Sequence, residues 1–234
     1  MSDWTTLLSG VVGSQAYGLA GPDSDVDVLA VAAAPTEEFH GLNPPTGKRA
    51  TRSRTDPDVT VHEAGKFVGL ALSCNPTVSE LLWLPSDCYR EIHPLGLKLI
   101  GIRKSLLSAR RVRDAYLGYA TQQFKRLRDR GTSFSSDTAG RTEKHARHLA
   151  RLVYCGRMLY FTGELEVRLY DPEHFRRFGR TVAENKERGL ELAESMIAIS
   201  AAAMDSQESA LPDEPDYGAA ESWLRDVRRE LLES

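Results

Sequence analysis

The chain has 234 residues, 41% hydrophobic and 27% charged, with a formal net charge of −3. These values fit a soluble globular protein of one large or two small domains. No apolar stretch approaches the roughly 18 residues that span a bilayer, and Met1-Ser2-Asp3-Trp4 carries no basic region or signal-peptide core, so a membrane role is not expected and the cytoplasm is the expected compartment. Cys74, Cys88 and Cys155 are odd in number and lack a CxxC pair. That argues against disulfides and zinc and for buried thiols.

Leu7 to Val12 reads as a first strand, Gly13-Ser14 as a turn, and residues 15 to 19 as a short helix. Asp25 to Val31 reads as a second strand. Residues 35 to 57 hold Pro44-Pro45, Gly47 and the cations Lys48, Arg49, Arg52 and Arg54, which reads as a long mobile loop. Asp58 to His62 alternates as a third strand, and Glu63 to Ser73 has helical periodicity. A further helix follows Asn75-Pro76, with Thr77 and Glu80 at capping-box spacing. Residues 95–107, 108–130, 142–162 and 181–204 read as helices, Gly163 suits a helix end, and Thr181 and Glu184 form another capping-box pair. An acidic linker with Pro212 and Pro215 precedes a last amphipathic helix over 218–233. The expected organisation is a sheet-containing domain over 1–100, a helical domain over 101–204, and a linker with a terminal helix over 205–234.

Two aspartates open the second strand. In a strand, residues i and i+2 share a face, so Asp25 and Asp27 project together while Val26, Val28 and Ala30 face the other way. Adjacent carboxylates repel unless a cation intervenes, and hard oxygens of this kind suit Mg²⁺ (or Mn²⁺) bound together with substrate phosphates. Asp58, at the start of the third strand with Thr60 and His62 on its side, is the candidate third carboxylate. Metals held there would clamp the attacking and leaving oxygens of an in-line phosphoryl displacement. The turn supplies the other half of the site. Gly13 permits an unusual backbone angle and close approach of a phosphate. The Ser14 hydroxyl and the amides that follow can cradle a triphosphate.

Gly-Ser, then ten residues, then Asp-Val-Asp resembles the signature of the DNA polymerase β nucleotidyltransferase superfamily. Gly13 and Ser14 match its helical-turn motif, and Asp25 and Asp27 its metal dyad. The segments 58–84, 118–123 and 144–167 are similar to predicted nucleotidyltransferases associated with RNA repair and RNA ligases. The resemblance covers most of residues 8 to 190. It implies an α/β (α+β) fold, with a small mixed sheet followed by a helical C-terminal domain. It also implies Asp58 as the third carboxylate and transfer of a nucleoside monophosphate from an NTP such as ATP to an acceptor hydroxyl. The basic loop at 35–57 and the acidic tail depart from the family's pattern.

Charge is unevenly spread. Residues 103 to 151 hold 13 Lys/Arg against 4 Asp/Glu, or +9, and the rest of the chain holds 17 against 29, or −12. This basic stretch points to an RNA end as acceptor, with a protein hydroxyl or a small molecule as alternatives. Lys144, Arg147, His148 and Arg151 form a stripe opposite Ala146, Leu149, Ala150 and Val153. It is either a solvated face or a set of cations for triphosphate or acceptor, and the resemblance favours the second. Lys66 is a further candidate cation. His145 and His148 stand at i, i+3, but no third ligand stands nearby. His62 reads as a satisfied histidine beside the site, Glu63 as a reserve carboxylate on the wrong face, Asn75 and Glu80 as helix caps, and Tyr119 and Gln123 as packing or cleft-lining residues. A non-catalytic, nucleotide-binding or antitoxin-like module is the alternative function, and retention of all three aspartates argues against it.

Overall fold

The apolar runs on either side of Gly13 pair with one another. β1 (Thr5–Val12) and β2 (Asp27–Ala33) are antiparallel, with Val12 opposite Asp27. β2 reads DVLAVAA and is buried along nearly its whole length, as a central strand covered on both faces must be. β4 (Asp58–Glu63) joins the other side of β2 in parallel, Val28 opposite Val59 and Ala32 opposite Glu63. β3 (Thr51–Thr55) and β5 (Tyr89–Ile92) close the edges, giving a mixed five-stranded sheet in the order β3-β4-β2-β1-β5. The computed structural model describes residues 4–22, 24–129 and 136–232.

The helices are α1 (Gly13–Tyr17), α2 (Ala64–Leu72), α3 (Pro76–Leu81), α4 (Pro94–Gly101), α5 (Ala109–Asp129), α6 (Ser136–Thr162), α7 (Pro172–Glu184), α8 (Lys186–Ser206) and α9 (Tyr217–Glu230). Among the described residues no helix is long and apolar enough to cross a membrane. The architecture is α+β, a mixed sheet followed by helices, as expected.

The chain forms two compact units. One joins the stretch up to Leu107 with that from Glu214 onward, and the other is Ser108–Asp213. The terminal helix, set apart in the sequence reading, therefore belongs to the first unit. Ala220, Trp223 and Val227 are its buried residues, and the Trp223 indole donates to the Leu95 carbonyl at 2.8 Å. Arg228 ties it to the sheet. Its guanidinium bonds Glu63 Oε1 at 2.7 Å and lies 3.9 Å over the Phe39 ring, and its carbonyl accepts from the Thr36 hydroxyl at 2.6 Å. Glu63 is 2% exposed and its other oxygen caps α2 through the Gly65 amide at 2.7 Å.

Several local expectations change. The 35–57 segment is not a free loop. Two 3₁₀ turns (Thr36–His40 and Gly47–Ala50) and strand β3 occupy much of it, and Arg228 holds its start. β2 begins at Asp27 rather than Asp25. The Thr77/Glu80 box is not made: Asn75 caps α3 by accepting from the Thr77 and Val78 amides, and Glu80 is buried against the Tyr17 hydroxyl. Thr181 and Glu184 end a helix instead of starting one. α7 starts at Pro172, capped by Asp171, and α8 at Lys186, capped by Asn185. An Asx side chain reaching the next turn's amides outcompetes the longer box at both sites. The acidic 205–217 stretch is not a loose linker either. Ala210 and Ser209 both donate to the Tyr160 carbonyl, and the Ala109 amide donates to Pro212.

Removing Arg228 leaves the Glu63 carboxylate buried without its ion partner. Arg228→Ala is expected to cost the first unit about 3 kcal/mol or more, and the pair Arg228→Met with Glu63→Gln distinctly less. The tryptophans Trp4, Trp83 and Trp223 all lie in the first unit, so urea unfolding followed by tryptophan fluorescence reads this unit alone.

Candidate active site

The end of β1 and the start of β2 meet at residue 13. Gly13 has φ +69, in the left-handed region, and a Cβ built there would stand 2.5 Å from Asp27 Oδ2. Any side chain at this position would collide with the carboxylate. The backbone turns straight into α1, whose N-cap residue Val12 offers no side-chain hydrogen bond, so the first-turn amides have no capping side chain and face the neighbourhood of Asp27. Gly18, at φ 76, ends the helix after five residues.

Three contacts hold this turn and the segment after it. The Tyr17 hydroxyl donates to the buried Glu80 carboxylate of α3. The Gln15 amide donates to the Ser24 carbonyl at 3.4 Å, one residue ahead of Asp25. The Ser24 hydroxyl in turn accepts from the Gly21 amide at 2.9 Å. Gln15, Tyr17 and Glu80 therefore position the Gly13-Ser14 turn and the segment that carries Asp25 relative to one another. The sequence offers no periodic signal for this, because each partner is distant in the chain or in an irregular segment.

The β2–β4 register sets the third carboxylate. Val28 pairs with Val59 in parallel, so Asp27 and Asp58, one residue earlier on each strand, stand side by side on one face at one end of the sheet. Asp27 is half-buried, and Asp25 and Asp58 are exposed. Among the described residues no group of three or more His, Cys, Asp and Glu side chains converges as a metal cluster. The chemistry of Asp25, Asp27 and Asp58, all carboxylate oxygens, suits a hard divalent ion.

From Asp58 the same face continues along β4 through Thr60 to His62, and β3 lays Thr55, Ser53 and Thr51 opposite them. The Thr51 hydroxyl bonds His62 Nδ1 at 2.9 Å. Burial first, then the Lys66 ammonium, lowers the His62 pKa, so this imidazole stays neutral at pH 7 and is satisfied, as expected. Arg52 and Arg54 pair with Val61 and Val59 and so take the face away from Asp58, with Arg52 stacked 3.8 Å over Trp4. Lys66, on α2, donates to the Gly47 carbonyl at 3.3 Å and pins the turn that leads into β3. Glu63 faces Arg228, away from the dyad, as its strand position requires.

The remaining candidates, Lys144, Arg147 and Arg151, lie on α6 of the second unit. Lys144 is exposed. The Arg147 stem packs on α7, where a Cβ at Gly179 would come within 2.9 Å of it. Arg151 is 3% exposed and donates to His148 Nδ1 at 3.1 Å. Burial, then the Arg151 charge, pushes His148 down to about 3, so its ring is neutral and accepts. His145 donates from Nδ1 to the buried Gln123 side chain at 2.8 Å. The stripe is therefore not a uniformly solvated face, and the two histidines serve packing between α5 and α6.

Residues 2–210 match the RNA repair pathway DNA polymerase beta family. No curated protein matches the chain. Among solved structures, a nucleotidyltransferase-like protein from Exiguobacterium sibiricum is similar at 14% identity and a TM-score of 0.32, over 97% of this chain and 74% of that one. A likeness that loose carries no argument about the site. The family match spans the sheet, the glycine turn, all three aspartates and the helical unit, and the chain belongs to the RNA repair pathway DNA polymerase beta family.

Proposed function

We propose that the first unit transfers a nucleoside monophosphate from an NTP to an acceptor hydroxyl and releases pyrophosphate. Membership of a polymerase β-like nucleotidyltransferase family supports transfer of this general kind. The observation that carries the finer reading is the close approach of Gly13 to the Asp27 carboxylate, with Asp58 in register beside it. The glycine turn and the strand-end carboxylates adjoin at one end of the sheet, the juxtaposition that transfer from a metal-bound triphosphate would use.

Asp25, Asp27 and Asp58 would hold Mg²⁺ (or Mn²⁺). When bound, the metal supplies positive charge that offsets the charge developing on the phosphoryl oxygens. The chain's own residues do the rest. Gly13, Ser14 and the first-turn amides of α1 hold the triphosphate, and Lys66 adds charge from α2. The Gln15–Ser24 contact keeps Asp25 in place. The acceptor oxygen bonds to the α-phosphorus, the bond from that phosphorus to the bridging oxygen breaks, and pyrophosphate leaves with the electron pair. The hydroxyl proton passes to Asp58. Catalysis rests on positioning and charge. An RNA end is the proposed acceptor, supported by the family description and by the 13 to 4 excess of basic residues over 103–151.

Asp27→Asn is expected to lower Mg²⁺-dependent pyrophosphate release, assayed with each NTP and total RNA, by at least about 100-fold. The fold should keep its stability or gain slightly, because one of two repelling charges is gone. Wild-type rates in this variant would sink the proposal.

Ser14→Ala is expected to weaken NTP binding about tenfold or less, since backbone amides share the load. Gly13→Val should be far worse. It strains a left-handed backbone by about 1–3 kcal/mol and drives a branched side chain into Asp27. Calorimetric titration of NTP together with thermal melting separates the two effects, and a Gly13→Val protein that binds and melts like wild type would refute the placement of the turn.

A further inference from the structure

The second unit contains a cavity of about 500 Å³ bounded by α6, α7 and α8, whose lining includes none of the candidate site residues. Its volume lies in the range of small-molecule sites. Ala150 and Val153 form an apolar wall and are fully buried. Aromatic rings form another. Tyr154 meets Phe175 edge-on at 5.6 Å and 78°, and His174 meets Phe175 at 5.5 Å and 86°. At the rim Tyr170 is 95% exposed and Ile199 66%.

The polar groups of the cavity are few and available. Ser200 is 3% exposed, lines the cavity, and makes no hydrogen bond to protein among the described residues. The Tyr154 hydroxyl likewise has no protein partner among them. Burial and then the Glu166 charge raise its pKa, so it remains a donor. The Arg157 guanidinium lies 5.4 Å over the Phe161 ring and forms no ion pair among the described residues. The Asp171 carboxylate uses one oxygen to cap α7 at the His174 amide and has a second to offer.

A ligand that satisfies this set is flat and aromatic, carries N–H and acceptor groups on its edge, and bears a negative charge on one side. A fatty chain would leave Ser200, Asp171 and Arg157 unused. An acidic peptide would not fill the aromatic walls. Base stacking on aromatic side chains with an arginine at the phosphate is the usual chemistry of single-strand binding. We propose that this cavity seats the unpaired base of a single-stranded nucleic acid, with a phosphate of the strand on Arg157. The base lies against Tyr154 and Tyr170, and its N–H edge donates to Asp171. The seat does not depend on nucleotidyl transfer at Asp25 and Asp27.

The test is fluorescence anisotropy of a labelled single-stranded RNA 12-mer with the full-length protein, in EDTA and without NTP, so that catalysis plays no part. Tyr170→Ala removes a ring that packs on little, and Arg157→Ala a side chain without an ion partner, so neither threatens the fold; circular dichroism checks this. Each variant is expected to weaken binding about tenfold. Arg157→Ala should also flatten the salt dependence, and Arg157→Lys should restore part of it. Affinity within twofold of wild type in both Tyr170→Ala and Arg157→Ala, or no binding at all, overturns the proposal. Adenosine monophosphate serves as a second probe. Weaker binding than the 12-mer supports a site fed by a strand, and equal affinity overturns that assignment in favour of a free nucleotide. If Ile199→Glu abolishes self-association in light scattering and leaves RNA binding untouched, the face is an interface between copies and the proposal fails.

Discussion

A side chain at position 13 and the carboxylate of Asp27 would occupy the same space. That exclusion fixes much of what surrounds it. Gly13 must carry a left-handed backbone angle, the chain must leave β1 sharply, and α1 must begin under the mouth of β2. A phosphate held at this turn and a cation held at the carboxylates would adjoin, one bringing negative charge and the other offsetting it. The β2–β4 register then adds Asp58 with no further device, since two parallel strands in step present the same end of the sheet.

Around that point the first unit is built for rigidity. Tyr17 and Glu80 anchor α1 to α3, Gln15 ties it to the segment before Asp25, and Glu63 turns away from the dyad to bond Arg228. The Arg228 contact brings α9 onto the first unit and fastens the start of the 35–57 segment through Thr36 and Phe39. The family match covers residues 2–210, and α9 lies beyond the matched residues. A buried ion pair of this kind costs desolvation to form and more to break. Its effect is to make the terminal helix a working part of the sheet's support.

The parts of the fold that were legible in the sequence are those with a strong period or a distinctive turn. β1, β2 and β4 show apolar runs or alternation, α5 and α6 show long helical faces, and Gly13-Ser14 with the dyad shows the strand ends. β3 and β5 did not show. They are short edge strands, TRSRT and YREI, whose mostly exposed polar and charged residues carry no apolar pattern, which is how edges avoid pairing with other chains. α7 was hidden by its charged face and by a box-like Thr181/Glu184 pair at its end, where Asp171-Pro172 and Asn185 were the true signals. Of the proposed site, the placement of Gly13, Ser14 and Asp27 at adjoining strand ends was legible in the motif. The positioning residues Gln15, Tyr17, Glu80 and Thr51 were not, because only tertiary contact gives them a role. Nor could a helical wheel show that Arg151 is buried beside a neutral His148, since periodicity sorts charge from apolar groups but does not say what a charged face meets.

The central claim is that the strand end at Asp25, Asp27 and Asp58 binds a divalent ion together with the triphosphate of a nucleotide. It is tested most directly by a crystal structure with Mn²⁺ and an NTP whose α–β bond cannot be cleaved, the ion located by its anomalous scattering. The account predicts manganese coordinated by Asp25 and Asp27 and by phosphate oxygens, with the phosphates over Gly13 and against Ser14. Manganese and triphosphate bound elsewhere, with Asp25 and Asp27 left facing solvent, would contradict it.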